Sequence, residues 1–350
     1  MSSVIEAAAA AVGKEGSADW DLKPETHAAL IAQEAGPLRR ILQRPALQDI
    51  IAIYREGDSN AKAGQNRYKR LATTAAISSF VAVLLGGLML LPSDQALPAI
   101  VANAIPLIQF ALLAVSIGSS LSIAFAKPFE TWMRERAKAE NARIGLFKAV
   151  MAADEPVHAG ELPLLPLQLE YFRRFQLDVQ RSYYRGRGGQ HARAVTKAGI
   201  VRSAALVLIG LAGLPLLFSL LGPEHTPAAF TDLLSGLSGE GEASQRILLC
   251  SSVIGGGLQG LLASYSLLSQ SERNASRYLD TARNLEDLSA RPLEDARAAA
   301  ASGNRELVLA FVALVHEQIS SEHREWIALR SLVPDLALGK LKVASLPQLG

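Results

Sequence analysis

Four stretches of this chain carry no formal charge over the length of a helix, and charged segments of helical periodicity separate them. They run from Leu71 to Leu91, Gln95 to Ala126, Ser203 to Leu221 and Ile247 to Ser271. A bilayer core takes roughly 20 apolar residues at the helical rise, so each run is long enough to cross. The spans are expected at 71–91, 98–126, 203–221 and 247–270. Only a tight turn with Pro92 and Asp94 separates the first two, which makes them an antiparallel hairpin. The second has residues to spare, for tilt or for a helix broken at Pro106. Pro215 in the third is compatible with a membrane helix, where prolines are common.

Between the runs the pattern predicts helices joined by short breaks. Residues 1–36 read as a disordered or marginally helical tail. Glu6 precedes a short alanine tract, Lys14 and Glu15 follow, and no signal-peptide core is present. Residues 37–54 have helical spacing broken at Pro45, and 57–66 are polar and loop-like. A polar helix follows Lys127, 156–166 is a linker rich in proline, and 167–184 reads as amphipathic. Residues 185–190, rich in glycine and arginine, are expected to be irregular. From Glu272 to Leu346 the chain is polar and helical, with Gly303 as a break and Pro334 as a stop. The expected fold is therefore an all-α integral membrane protein with cytoplasmic amphipathic helices. A first two-span unit covers 37–155 and a second covers 167–346.

Charge orients the hairpins. Of the 35 Lys and Arg residues, only Arg246 lies in the loops between paired spans, where Asp94, Glu224, Asp232, Glu240 and Glu242 also sit. The positive-inside rule then places both termini in the cytoplasm of a multi-pass inner-membrane protein. The basic flanks suit anionic lipid better than nucleic acid, at about 1 kcal/mol per residue near such a surface. Cys250 stands alone within an apolar run, which excludes disulfides within the chain and a cysteine cluster.

A shift of 150 positions lays Gln109 on Gln259, Ser116 on Ser266, Ser120 on Gln270 and Lys127 on Arg277. The two hairpins thus read as a tandem parallel repeat. Gln109, Ser116 and Ser120 share one helical face. Two readings stay open for this polar set of Gln109, Ser116, Ser120, Gln259, Ser266 and Gln270. It provides hydrogen bonds between helices, or it lines a water-filled path in an oligomer. In the fourth run Ser252, Gly256, Gly260 and Ser264 recur every four residues, a small-residue stripe suited to close helix packing.

Catalytic signals are sparse. His316-Glu317 lacks the second histidine of a zinc-protease helix, since position 320 is Ser320. His316, Glu317, Glu322 and His323 are expected on the solvated face of an amphipathic helix. Leu307, Phe311, Leu314, Val315, Ile319 and Trp326 are expected as its apolar stripe. No phosphate-binding loop occurs, and no metal, cofactor or enzymatic activity is expected. Trp132, Arg136 and Glu140 form a ladder at four-residue spacing, with Arg136 in reach of Glu140.

Three features resemble the SLATT family of two-transmembrane effector domains, which associate with nucleotide synthetases and nucleotide sensors. They are the Tyr- and Arg-bearing helices leading into each hairpin (Tyr54 to Arg70 and Tyr183 to Ala194), the set Trp132, Arg136 and Glu140, and the segment with Phe311, Glu317, Glu322 and Trp326. Nothing like the last segment follows the first hairpin. The resemblance implies a homo-oligomeric effector of bacterial conflict systems that forms a pore or perturbs the membrane. Its trigger would be a separate nucleotide-sensing or nucleotide-synthesising protein. The alternative is a non-conducting membrane scaffold whose cytoplasmic helices recruit partners.

Overall fold

A computed structural model describes residues 3–89, 99–221, 250, 253–262, 264 and 271–337. Among these the chain is helical, with no strand. The helices are α1 (Ser3–Val12), α2 (Pro24–Leu30), α3 (Gly36–Leu42), α4 (Pro45–Leu88), α5 (Ala99–Ala126), α6 (Pro128–Ala152) and α7 (Leu164–Phe172). After a π-helical turn (Arg173–Asp178) come α8 (Val179–Leu221), α9 (Ser271–Leu288), α10 (Arg291–Ala301) and α11 (Arg305–Ala337).

The helices gather into two compact units. Unit 1 takes Met1–Lys62, Thr131–Gln190 and Asn274–Gly350, and unit 2 takes Ala63–Glu130 and His191–Arg273. The division is by space rather than by tandem halves, since each unit draws on both sides of the expected linker.

Unit 1 is built around α7 and its π turn. Leu167, Leu169, Tyr171, Phe172, Phe175 and Leu177 are buried, and so are Gln168, Glu170, Arg174 and Gln176 between them. A helix buried on all sides has no polar face, which corrects the expected amphipathic pattern over 167–184. Around it pack Leu146, Phe147 and Val150 of α6, Ala296 and Ala300 of α10, and Val308, Phe311 and Val315 of α11.

The first 36 residues, expected as a tail, contribute to this core. Ile5, Ala8, Ala11 and Val12 of α1 are buried. Alanine gives a weak hydrophobic signal, yet it is the best helix former and lets a neighbour approach closely. Gly13, at φ +81°, ends the helix in the left-handed region that only glycine adopts freely.

Two stretches expected as loops are continuous helix. Residues 57–66 lie inside α4 and 185–190 inside α8. One glycine in each is a packing position, whereas Gly186 and Gly189 have open space at their Cβ positions. A Cβ on Gly57 would stand 3.0 Å from the Ala139 nitrogen and the Glu135 carbonyl of α6, and one on Gly188 would stand 2.8 Å from the Leu279 side chain of α9. The expected breaks at Pro45 and Gly303 coincide with the starts of α4 and α11, and Gly303 has φ +78°. The backbone of α11 continues past Pro334 to Ala337.

Among the described residues two helices, Pro45–Leu88 and Asn103–Ala126, are long and apolar enough to cross a membrane. Both reach into unit 2. Helix α5 passes through Pro106 without interruption.

Candidate functional site

Unit 2 holds the polar positions singled out in the sequence. The Ser116 hydroxyl donates to the Ala75 carbonyl of α4 at 2.9 Å, and the Ser120 hydroxyl donates back to the Ser116 carbonyl on its own helix. The Gln109 side chain lies against Gly86, where a Cβ would stand 2.9 Å from its Nε2. Ser116 and Gln109 thus join α5 to α4, while Ser120 stays within α5 and is exposed. Gln259 buries its Nε2 without a hydrogen-bond partner. Ser266, Gln270 and Ser252 lie outside the described residues.

Gly256 and Gly260 are exposed, and a Cβ on either would meet nothing within 4 Å. Gly257 makes the close approach instead, since its Cβ would stand 2.7 Å from the Val83 side chain of α4. Gly87 meets the same short helix, Val253–Leu262, through Ile254 at 3.0 Å. Within the described residues, α4 is therefore clasped by α5 on one side and by Val253–Leu262 on another.

In unit 1 the residues of the resemblance are dispersed. Trp132 and Arg136 are half-buried on α6, and Glu140 lies 3.8 Å from Arg143. Phe311 is buried edge-on to Phe172, with ring centres 6.5 Å apart. Glu317 is exposed, and the side chains of Glu322 and Trp326 lie outside the described residues. The expected apolar stripe of α11 is only partly buried, because Leu307 and Leu314 are exposed. Val308, Val312 and His316 take their places.

His316 corrects the sequence reading most directly. It is buried against Phe172, at 5.2 Å between ring centres, rather than on the solvated face. Neither ring nitrogen has a hydrogen-bond partner. Burial lowers its pKa to about 4, with a smaller repulsion from Lys148.

The densest polar constellation surrounds the π turn, and the sequence reading missed it. His27 of α2 is fully buried and stacked on Phe175 at 3.9 Å. Its Nε2–H donates to the Asp21 carbonyl (2.8 Å), so Nδ1 accepts from the Tyr171 hydroxyl (2.9 Å). Burial is the largest cause of its low pKa of about 4. Burial also holds the Tyr171 hydroxyl firmly protonated. Arg174 bonds the buried Asp19 at 3.0 Å and the Val12 carbonyl, so one guanidinium ties α1 and the 17–20 turn to the centre.

Glu170 is fully enclosed between Arg173 at 2.5 Å and Arg297 at 2.6 Å. Arg173 continues to Asp178 at 2.6 Å, whose carboxyl is raised first by burial. On the surface, Arg40 holds Glu155 and Glu161 and lowers the Glu161 pKa to about 2. That clamp fixes the turn leading into α7.

The signal for this network lay in charges set among aromatics over 170–178, at three- and four-residue spacings. A π turn brings such residues inward because its i→i+5 bonding puts more residues into the turn and shifts the register. Chemically the network is a closed set of neutral and paired groups: the histidine is satisfied at both nitrogens, and the carboxylates are held by guanidiniums. No three of the described His, Cys, Asp and Glu residues are placed to hold a metal ion. No family model, curated protein or solved structure matches the chain.

Proposed function

We propose that this chain is a multi-pass inner-membrane protein whose two hairpins anchor a folded cytoplasmic helical domain, unit 1, which recruits partner proteins. The hairpins are 71–91 with 98–126 and 203–221 with 247–270, arranged as a repeat with both termini cytoplasmic. One observation carries the reading. Helix α5 shows apolar side chains to its surroundings, with Leu107 at 71%, Phe110 at 70% and Phe125 at 82% exposure. Lipid is the medium in which such a surface is stable.

The non-conducting role draws support from Ser116 and Gln109, whose polar groups face α4 rather than a path. An interhelical bond such as that of Ser116 contributes about 0.6 kcal/mol. A homo-oligomeric, SLATT-like pore answering to a nucleotide-sensing partner is the second reading. It is favoured by the open Gly256–Gly260 edge, which a second copy would cover, and by the buried Gln259 nitrogen, which has no hydrogen-bond partner within the protomer.

Carbonate washing and dye-loaded liposomes test both. The protein should stay with membranes after the wash, and reconstituted liposomes should retain their dye. Dye release that Gln259→Leu abolishes would replace the scaffold with the pore. Loss of the protein into the carbonate wash would overturn both.

A further inference from the structure

Unit 2 carries cations that meet no carboxylate among the described residues. Between Asp58 and Asp94, and again between Asp178 and Glu224, the chain has no carboxylate at all. These stretches hold Arg67, Lys69 and Arg70 on α4, and Lys197 and Arg202 on α8, all exposed. No ion pair among the described residues engages any of the five. Unit 1 also has exposed cations, Lys148 and Arg291 among them, but its more enclosed guanidiniums are paired. Arg40, Arg44, Arg173, Arg174, Arg297 and Arg305 each meet a carboxylate.

The five stand where apolar surface begins. Arg70 directly precedes the Leu71–Leu91 run, and Arg202 directly precedes Ser203–Leu221. On α8, Ile200 (66% exposed) and Val201 (51%) lie between Lys197 and Arg202, so cations and apolar side chains share one exposed stretch. Tyr68 tilts against Phe129 at 5.2 Å between ring centres. That contact brings the Arg67–Arg70 cluster and Lys127 to the same end of the α4–α5 pair. Long basic side chains at such a boundary lay their stems on the apolar surface and place their charge among headgroups.

Resting on the membrane reading above, we propose that Arg67, Lys69, Arg70, Lys197 and Arg202 form a docking surface for anionic phospholipid headgroups. Interleaved Ile200 and Val201 favour lipid over nucleic acid, which would leave them in water. Two carboxylate-free stretches leave the phosphodiesters as the counter-ions.

The test uses the full chain in nanodiscs of phosphatidylcholine with a minor fraction of phosphatidylglycerol. Co-purifying lipid is measured after mild detergent exchange. Phosphatidylglycerol should be enriched over its share of the mixture, and less so as salt rises. Lys197→Gln with Arg202→Gln should lower the enrichment by about fivefold per residue, since each such contact contributes about 1 kcal/mol. Lys197→Arg with Arg202→Lys should restore it. Lys148→Gln with Arg291→Gln, exposed cations of unit 1, should leave it unchanged. An unchanged helical circular-dichroism signal in pure phosphatidylcholine establishes that the variants are folded.

Equal retention of the two lipids, or enrichment that survives the Gln variants, would overturn the proposal. So would displacement of phosphatidylglycerol by an equimolar oligonucleotide. A protein that resists carbonate but shows no lipid preference sinks this proposal alone. A protein that carbonate extracts sinks the membrane reading beneath it.

Discussion

The His27 Nδ1 and the Tyr171 hydroxyl meet at 2.9 Å across 144 positions of the chain, inside a core from which water is excluded. This bond joins the first 36 residues to the central helix, and its loss would leave a buried acceptor unpaired. Tyr171→Phe should therefore destabilise unit 1 by about 1–3 kcal/mol. Denaturant titration of the detergent-solubilised protein measures it. A variant as stable as the parent would show that α2 docks by packing alone.

His316 predicts the opposite sign. It sits in the core with both nitrogens unsatisfied. An apolar side chain of similar volume removes that desolvation cost, so His316→Met should stabilise the protein by about 1 kcal/mol. The same titration checks it, and a loss of stability would show that the imidazole has an undetected partner.

Both histidines make unit 1 acid-sensitive. Each has a folded pKa of about 4 against an ordinary value of 6.5. Between those values the unfolded chain binds the protons that the folded chain refuses, so stability is full above pH 6.5. It falls as pH drops toward 4, by up to about 3 kcal/mol per histidine. His316→Met should roughly halve the slope of the unfolding midpoint against pH in that window. An unaltered slope would place the acid sensitivity elsewhere.

Glu170 is enclosed by Arg173 and Arg297. Its removal leaves two guanidiniums facing each other in a closed space. Glu170→Ala should cost about 3–5 kcal/mol, whereas Glu294→Ala, whose side chain is half exposed against the same Arg297, should cost at most about 1 kcal/mol. Similar losses for both would mean that Glu170 is solvated.

The glycines give a paired comparison. Gly57→Ala places a Cβ against the α6 backbone and should destabilise unit 1, whereas Gly145, with nothing within 4 Å of its Cβ position, should gain about 1 kcal/mol as alanine. Melting of the two variants decides it, and equal effects would remove the close-approach account of α4 and α6.

These sites show why the sequence was only partly readable. The runs 71–91 and 98–126 were legible because no charge interrupts them, and the helices Pro45–Leu88 and Ala99–Ala126 contain nearly all of both. Gly57 and Gly188 misled because glycine marks a loop and a close helix contact equally well, and only the neighbour distinguishes them. His316 misled because Glu317 beside it is exposed, although adjacent helical positions point about 100° apart. The burial of Glu170 has no local sequence signal, because Arg297, one of the two guanidiniums that enclose it, lies 127 positions away.

That separation also bears on how the protein comes into being. At about 5–20 residues per second, synthesis takes roughly 6–25 s to proceed from Glu170 to Arg297. Throughout that interval the third and fourth apolar runs emerge, while the central helix still lacks the α10 and α11 side chains that cover it. Unit 1 is thus a domain that closes last, after the segments proposed to enter the bilayer have left the ribosome. A chain interrupted before α10 would keep its core helix uncovered, a natural target for chaperones and proteases.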